Sequence, residues 1–115
     1  MKNQTYRMTM LFDFYGELLT EHQKAVYEDV VLNDYSLSEI AQEYNISRQG
    51  VHDLIKRCNL ILKGYEEKLH LVERFMTAKK MVNQINGLVG EFRNSGDVSC
   101  IDKIDEISNN ILNIF

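Results

Sequence analysis

The sequence predicts an all-α protein, and three observations predict it. No proline occurs among the 115 residues, so no position lacks its N–H or clashes with the preceding helical turn. Apolar residues recur at spacings of three and four along most of the length, the period of a helix with one buried stripe. Two of these stripes are preceded by Thr or Ser with Gln or Glu three residues on, a pattern in which a helix start satisfies its own free N–H groups.

In the first predicted helix Met8, Leu11, Phe12, Tyr15 and Leu19 share one stripe, and Met10, Phe14 and Leu18 form a second beside it. Such width points either to core packing within one chain or to a neighbour in a second subunit, with Met10, Phe14 and Leu18 as candidate dimer-interface residues. The next helix starts at a capping box, Thr20 with Gln23, buries Val26, Tyr27, Val30 and Val31, and ends near Asn33.

Ser36 with Glu39 is a second capping box, and Tyr35 and Ile40 flank it as a hydrophobic staple, so a helix starts at Leu37. It runs only to about Tyr44, because Asn45 tolerates the left-handed conformation and Ser47 is a new N-cap. From Ser47 the helical pattern continues through Cys58, Leu62, Tyr65, Leu69, Val72 and Met76, with Gly64 as the expected break between two helices. The apolar phase then moves to Ala78, Val82, Ile85, Val89 and Phe92, a turn follows at 93–99, and Ile104, Ile107, Ile111 and Ile114 mark a last amphipathic helix. Ile107 and Ile111 join the candidate dimer interface. The expected organisation is a bundle over residues 1–63 with a helix pair at 36–58, then a helical arm over 64–115 for packing or dimerisation.

"YSLSEIAQEYNISRQGVHDLIKRC" has the layout of a helix-turn-helix. Two short helices that cross closely need a small residue at the crossing, here Ala41, and a turn residue that accepts positive φ, here Asn45. Leu37, Ile40, Tyr44, Ile46, Val51, Leu54 and Ile55 would form the shared core. The start of the second helix then faces outward with Ser47, Arg48, Gln49, His52, Asp53 and Lys56. Arginine pairs with guanine, glutamine with adenine, and a helix N-terminus with phosphate. Ser47, Arg48, Gln49, His52, Lys56 and Arg57 are therefore the candidate nucleic-acid-binding residues. The competing reading is an ordinary solvated helix face, and Asp53 within it opposes phosphate.

Charge bounds the function. The formal net charge is −4, from 13 basic and 17 acidic residues, which disfavours strong nonspecific nucleic-acid binding. Of the segments 1–35, 36–63 and 64–115, only 36–63, with 4 basic and 3 acidic side chains, is net positive. No apolar run approaches the roughly 20 residues of a membrane span, and the N-terminus lacks the form of a secretory signal, so a cytoplasmic location without membrane contact is expected. Cys58 and Cys100 are far apart and the three histidines are scattered, which supports neither a disulfide framework nor a metal site. No carboxylate pairs with a nucleophile, a base or a phosphate-cradling loop, so neither catalysis nor a cofactor is expected.

"LLTEHQKAVYEDVVLNDYSLSEIAQEYNISRQGVHDLIKRCNLILKGYEEKL" resembles the helix-turn-helix of bacterial sigma-factor region 4, whose pattern is of the type "LSxxEIAxxxxISRQxVxxxIKR". With "RMTMLFDFYGELLT" ahead of it and the helical tail behind, the whole chain resembles the YlxM family of small bacterial helix-turn-helix proteins. The match covers residues 6 to about 76, and the remainder fits in length and helical character. It departs at Gly50, where sigma-like sequences commonly have alanine, and at Asn45, where glycine is common. The resemblance implies an all-helical, dimeric protein without enzymatic activity. Genes of this family usually sit beside that of the signal recognition particle GTPase, which implies a regulatory or accessory role in that pathway. Two functions follow as expectations: a homodimeric regulator reading DNA, ahead of RNA, through the Ser47 helix, or an interaction module for a signal recognition particle protein or its RNA.

Overall fold

The computed structural model describes the backbone of residues 2–115 and the side chains of residues 6–115. Among these, six α-helices follow one another: α1 (Lys2–Tyr15), α2 (Glu21–Val31), α3 (Leu37–Tyr44), α4 (Arg48–Leu69), α5 (Leu71–Ser95) and α6 (Ser99–Ile114), with a 3-10 turn at Gly16–Leu18. No strand occurs among the described residues, and the all-α class holds. Residues 1–70 form one compact unit and residues 71–115 another.

Local chemistry sets the helix starts of the first unit. Thr20 accepts from the Gln23 N–H at 3.2 Å while Gln23 returns a bond to the Thr20 N–H at 3.1 Å. Ser36 and Glu39 repeat the arrangement. Both boxes stand where the sequence predicts them. Asn45 adopts the left-handed conformation at φ 55° and closes α3, which lets the chain turn at once into α4. Asp34 is also left-handed, at φ 59°, and ends the α2 corner two residues beyond its cap.

The core of the helix pair is Val26, Ile40, Ala41 and Val51, surrounded by Val30, Leu37, Tyr44, Ile46, Leu54 and Ile55. Tyr44 ties α3 to α2 by donating its hydroxyl to Asp29 at 2.9 Å, and that bond raises the Tyr44 pKa. α1 closes the other side of α4 with buried Leu11, Phe12 and Tyr15. The Phe12 ring stacks on Tyr27 at 5.3 Å and the Tyr15 ring on Tyr65 at 6.0 Å. Tyr15 also donates its hydroxyl to buried Glu66 at 2.5 Å. Gly16 permits the corner after α1, since a Cβ there would meet the Phe12 ring at 3.0 Å.

α4 does not break at Gly64. It runs to Leu69, and the interruption falls at His70, left-handed at φ 56°. A glycine in a helix interior weakens the helix by about 1 kcal/mol without ending it, and Gly64 is followed by Tyr65 and Glu66, both tied to α1. The long apolar seam therefore belongs to two helices.

In the second unit α5 and α6 pack as a hairpin. Gly96 turns the chain at φ 69°, and the Asp97 carboxylate accepts from the Ser99 N–H at 2.9 Å, which holds its pKa below the usual carboxylate range. On α5, Ala78, Met81, Ile85, Leu88, Val89 and Phe92 are half-buried; Val82, expected on this stripe, is exposed because Met81 takes its place in the helical phase. On α6 the stripe is Ile104, Ile107, Ile111 and Ile114, all half-buried.

Candidate nucleic-acid interface

The exposed start of α4 is built by its cap. Ser47, extended at ψ 158°, accepts the Gly50 N–H on its Oγ at 2.9 Å, so one free backbone donor of the helix start is satisfied within the chain. The Ser47 hydroxyl keeps its own proton to donate outward. Gly50 sits directly against this cap: a Cβ there would lie 3.1 Å from Ser47 Oγ. The glycine thus leaves room for the capping geometry.

Arg48, Gln49, His52, Lys56 and Arg57 are all exposed, as the sequence predicts. Helical geometry places Gln49, His52, Asp53 and Lys56 on one outward face, with Arg48 and Arg57 on its flanks. From Arg48 to Lys63, α4 carries four basic side chains against Asp53 as its acid. The negative total of the chain is thus carried elsewhere, and this stretch of helix is basic.

Asp53 has a role that its charge alone does not reveal. Its Oδ1 accepts from Gln49 Nε2 at 3.0 Å and stands 3.8 Å from His52 Nδ1. The bond fixes the plane of the Gln49 amide and leaves its Oε1 and second N–H free, the acceptor and donor that a bidentate contact to adenine needs. Spacing of i and i+4 on a helix could have shown this pair in the sequence. Asp53→Asn keeps an acceptor for Gln49 while removing one negative charge. At about 8 Å in water that charge is worth roughly 0.5 kcal/mol per phosphate, so duplex affinity should rise about two- to threefold, read by fluorescence anisotropy.

The five candidate dimer-interface residues divide. Phe14 and Leu18 are exposed, at 37% and 53%. Met10 is not: at 9% it belongs to the chain's own core, because it lies beside Leu11 on the inward side of α1. Ile107 and Ile111 are half-buried on α6.

Among the described residues no three His, Cys, Asp or Glu side chains gather to hold a metal ion. Cys58 and Cys100 are free and buried, and burial pushes both thiols up. No described helix is long and apolar enough to cross a membrane.

Comparison with known proteins agrees with the helix pair. Residues 2–98 match the model of the UPF0122 family, described as "Putative helix-turn-helix protein, YlxM / p13 like". The chain is 43% identical over 98 residues to the UPF0122 protein YlxM of Bacillus subtilis, covering 85% of this chain and 89% of that one. It is 40% identical over 109 residues to a UPF0122 protein of Listeria monocytogenes serotype 4b, covering 95% and 98%. With a UPF0122 protein of a Geobacillus species it shares 42% identity over 107 residues, covering 93% and 96%. A capped helix pair, a left-handed turn at Asn45 and similarity across nearly the whole chain lead to one conclusion: the protein belongs to the UPF0122 family of YlxM / p13-like helix-turn-helix proteins.

Proposed function

We propose that this protein is a non-enzymatic, DNA-binding regulator of the bacterial cytoplasm that lays the start of α4 in the major groove. The observation that carries the reading is the exposed α4 face, where Gln49 is oriented by Asp53 beside Arg48. Arg48 and Gln49 read base edges, Ser47 and His52 donate to the backbone near the helix start, and Lys56 and Arg57 neutralise phosphates. A labelled-duplex binding assay tests it. Arg48→Ala with Gln49→Ala should lower discrimination between preferred and scrambled sites by about 1–3 kcal/mol per bidentate contact. Unaltered preference would remove the reading.

Two copies fit this role, since paired half-sites are read by paired helices. In support, α6 leaves Ile107 and Ile111 half-buried after packing on α5, and Phe14 on α1 and Leu18 in the 3-10 turn remain exposed. The arm then contributes to dimerisation. Light scattering should give twice the 13.5 kDa chain mass; a concentration-independent monomer mass argues against it.

A second reading makes the chain an accessory of the signal recognition particle that binds one of its proteins or its RNA. The net charge of −4 and exposed Phe14 and Leu18 favour it. Co-purification with that particle should then survive Arg48→Ala with Gln49→Ala and fail with Phe14→Ser and Leu18→Ser; the reverse pattern counts against it.

A further inference from the structure

A groove between α1 and α4 carries chemistry that the α4 start does not use. It encloses about 340 Å³ and is lined, among the described residues, by Arg7, Met8 and Leu11 from α1 and by Asn59 and Lys63 from α4. Met8 and Leu11 supply an apolar wall. The polar lining consists of a guanidinium, an ammonium and a side-chain amide, all with N–H donors. Arg7 and Lys63 are exposed, and neither is joined to a carboxylate among the described residues, Glu67 one turn beyond Lys63 included.

Asn59 is held in place from behind. Its Oδ1 accepts the hydroxyl of fully buried Tyr27 at 2.7 Å. Turning the amide over would take the acceptor away from the buried Tyr27 O–H, and a buried donor without an acceptor costs about 1–3 kcal/mol. With Oδ1 committed to Tyr27, Nδ2 is left to the groove. Donors converging on a half-open cleft with no carboxylate in its described lining suit an anion with several oxygens.

Position along α4 selects the source of that anion. Lys63 follows Lys56 by two helical turns on the same face, about 10 Å along the axis, with Leu60 exposed at 64% between them. A polyanion that passes Lys56 can therefore continue to the groove. We propose that the groove holds backbone phosphate of the same DNA duplex, with Arg7 and Lys63 as its ionic contacts and Asn59 as its neutral donor. This rests on the reading of the α4 face given above. The footprint then spans both ends of the exposed α4 surface and includes α1, outside the helix pair.

Duplex binding measured across a salt series separates the two ideas. Arg7→Gln with Lys63→Gln should lower the slope of log affinity against log salt by about 1–2, with sequence preference intact. Arg48→Ala with Gln49→Ala should instead relax the preference. Asn59→Asp keeps an oxygen for Tyr27 and puts a negative charge in the groove, so it should weaken binding to every duplex at an unchanged melting temperature. A wild-type slope in the glutamine variant, together with unweakened binding by Asn59→Asp, overturns the groove proposal and leaves the α4 reading standing. A lowered slope with preference untouched by Arg48→Ala and Gln49→Ala upholds the groove and removes the base-reading role. Loss of slope on an RNA duplex alone overturns the assignment to DNA, and absence of any duplex binding by the wild type overturns both.

Discussion

Ile40→Ala should unfold the helix pair at much lower denaturant, with a loss of about 2–5 kcal/mol. Ile40 is fully buried at the point where α2, α3 and α4 meet, among Val26, Ala41 and Val51. Truncation removes three carbon atoms from a site whose walls belong to three separate elements, so collapse into the space is limited and a cavity term adds to the lost transfer energy. Against the roughly 5–15 kcal/mol of a typical domain this is a large fraction. Urea denaturation should show a lower midpoint at an unchanged slope. Leu60→Ala on the exposed side of α4 serves as the control and should stay within about 0.5 kcal/mol of wild type. Equal effects at the two positions would contradict this account of the core. Duplex affinity should fall with Ile40→Ala only as far as the folded fraction does, because Ile40 itself faces no ligand.

Tyr15→Phe is expected to cost about 1–3 kcal/mol even though it deletes one oxygen. The Tyr15 hydroxyl lies on Glu66 at 2.5 Å, and Glu66 is 6% exposed. Removing the donor leaves a carboxylate in a poorly solvated place with one bond fewer, and that desolvation is what the variant exposes. Glu66→Leu alone takes this acceptor from the phenol instead. The pair Tyr15→Phe with Glu66→Leu should therefore lose less than the sum of the singles, with a coupling of about 0.5–3 kcal/mol in a double-mutant cycle. Strict additivity would show that the contact carries no weight. The stacked rings of Tyr15 and Tyr65 survive both changes, so the cycle isolates the hydroxyl–carboxylate contact.

The parts of the fold written in short-range chemistry were legible in the sequence. Thr20 with Gln23, Ser36 with Glu39, and Ser47 each announce a helix start within four residues, and Asn45 announces the turn. The exposure of Arg48 and Gln49 followed, because theirs is the face that remains when Val51, Leu54 and Ile55 turn inward. Long-range features were not legible. Nothing local marks Glu66 as a buried partner of a tyrosine on α1, nor Asn59 as the acceptor for Tyr27. Gly64 attracted a break because glycine weakens helices, but packing of Tyr65 and Glu66 onto α1 outweighs that preference and His70 takes the turn. Met10 misled for a related reason: a stripe drawn by spacing cannot tell how far around α1 the neighbouring helices reach.

The Tyr15 to Glu66 bond has a consequence for the order in which the chain is made. α1 is made ahead of α4, and its partners Tyr65 and Glu66 emerge some fifty residues after Tyr15. At about 5–20 residues per second, seconds pass before that side of α1 can be covered. Phe12 finds Tyr27 early, whereas Tyr15 waits. The earliest-made helix of the first unit is thus the last of that unit to be enclosed, and during that interval its apolar side is open to whatever stands at the tunnel exit.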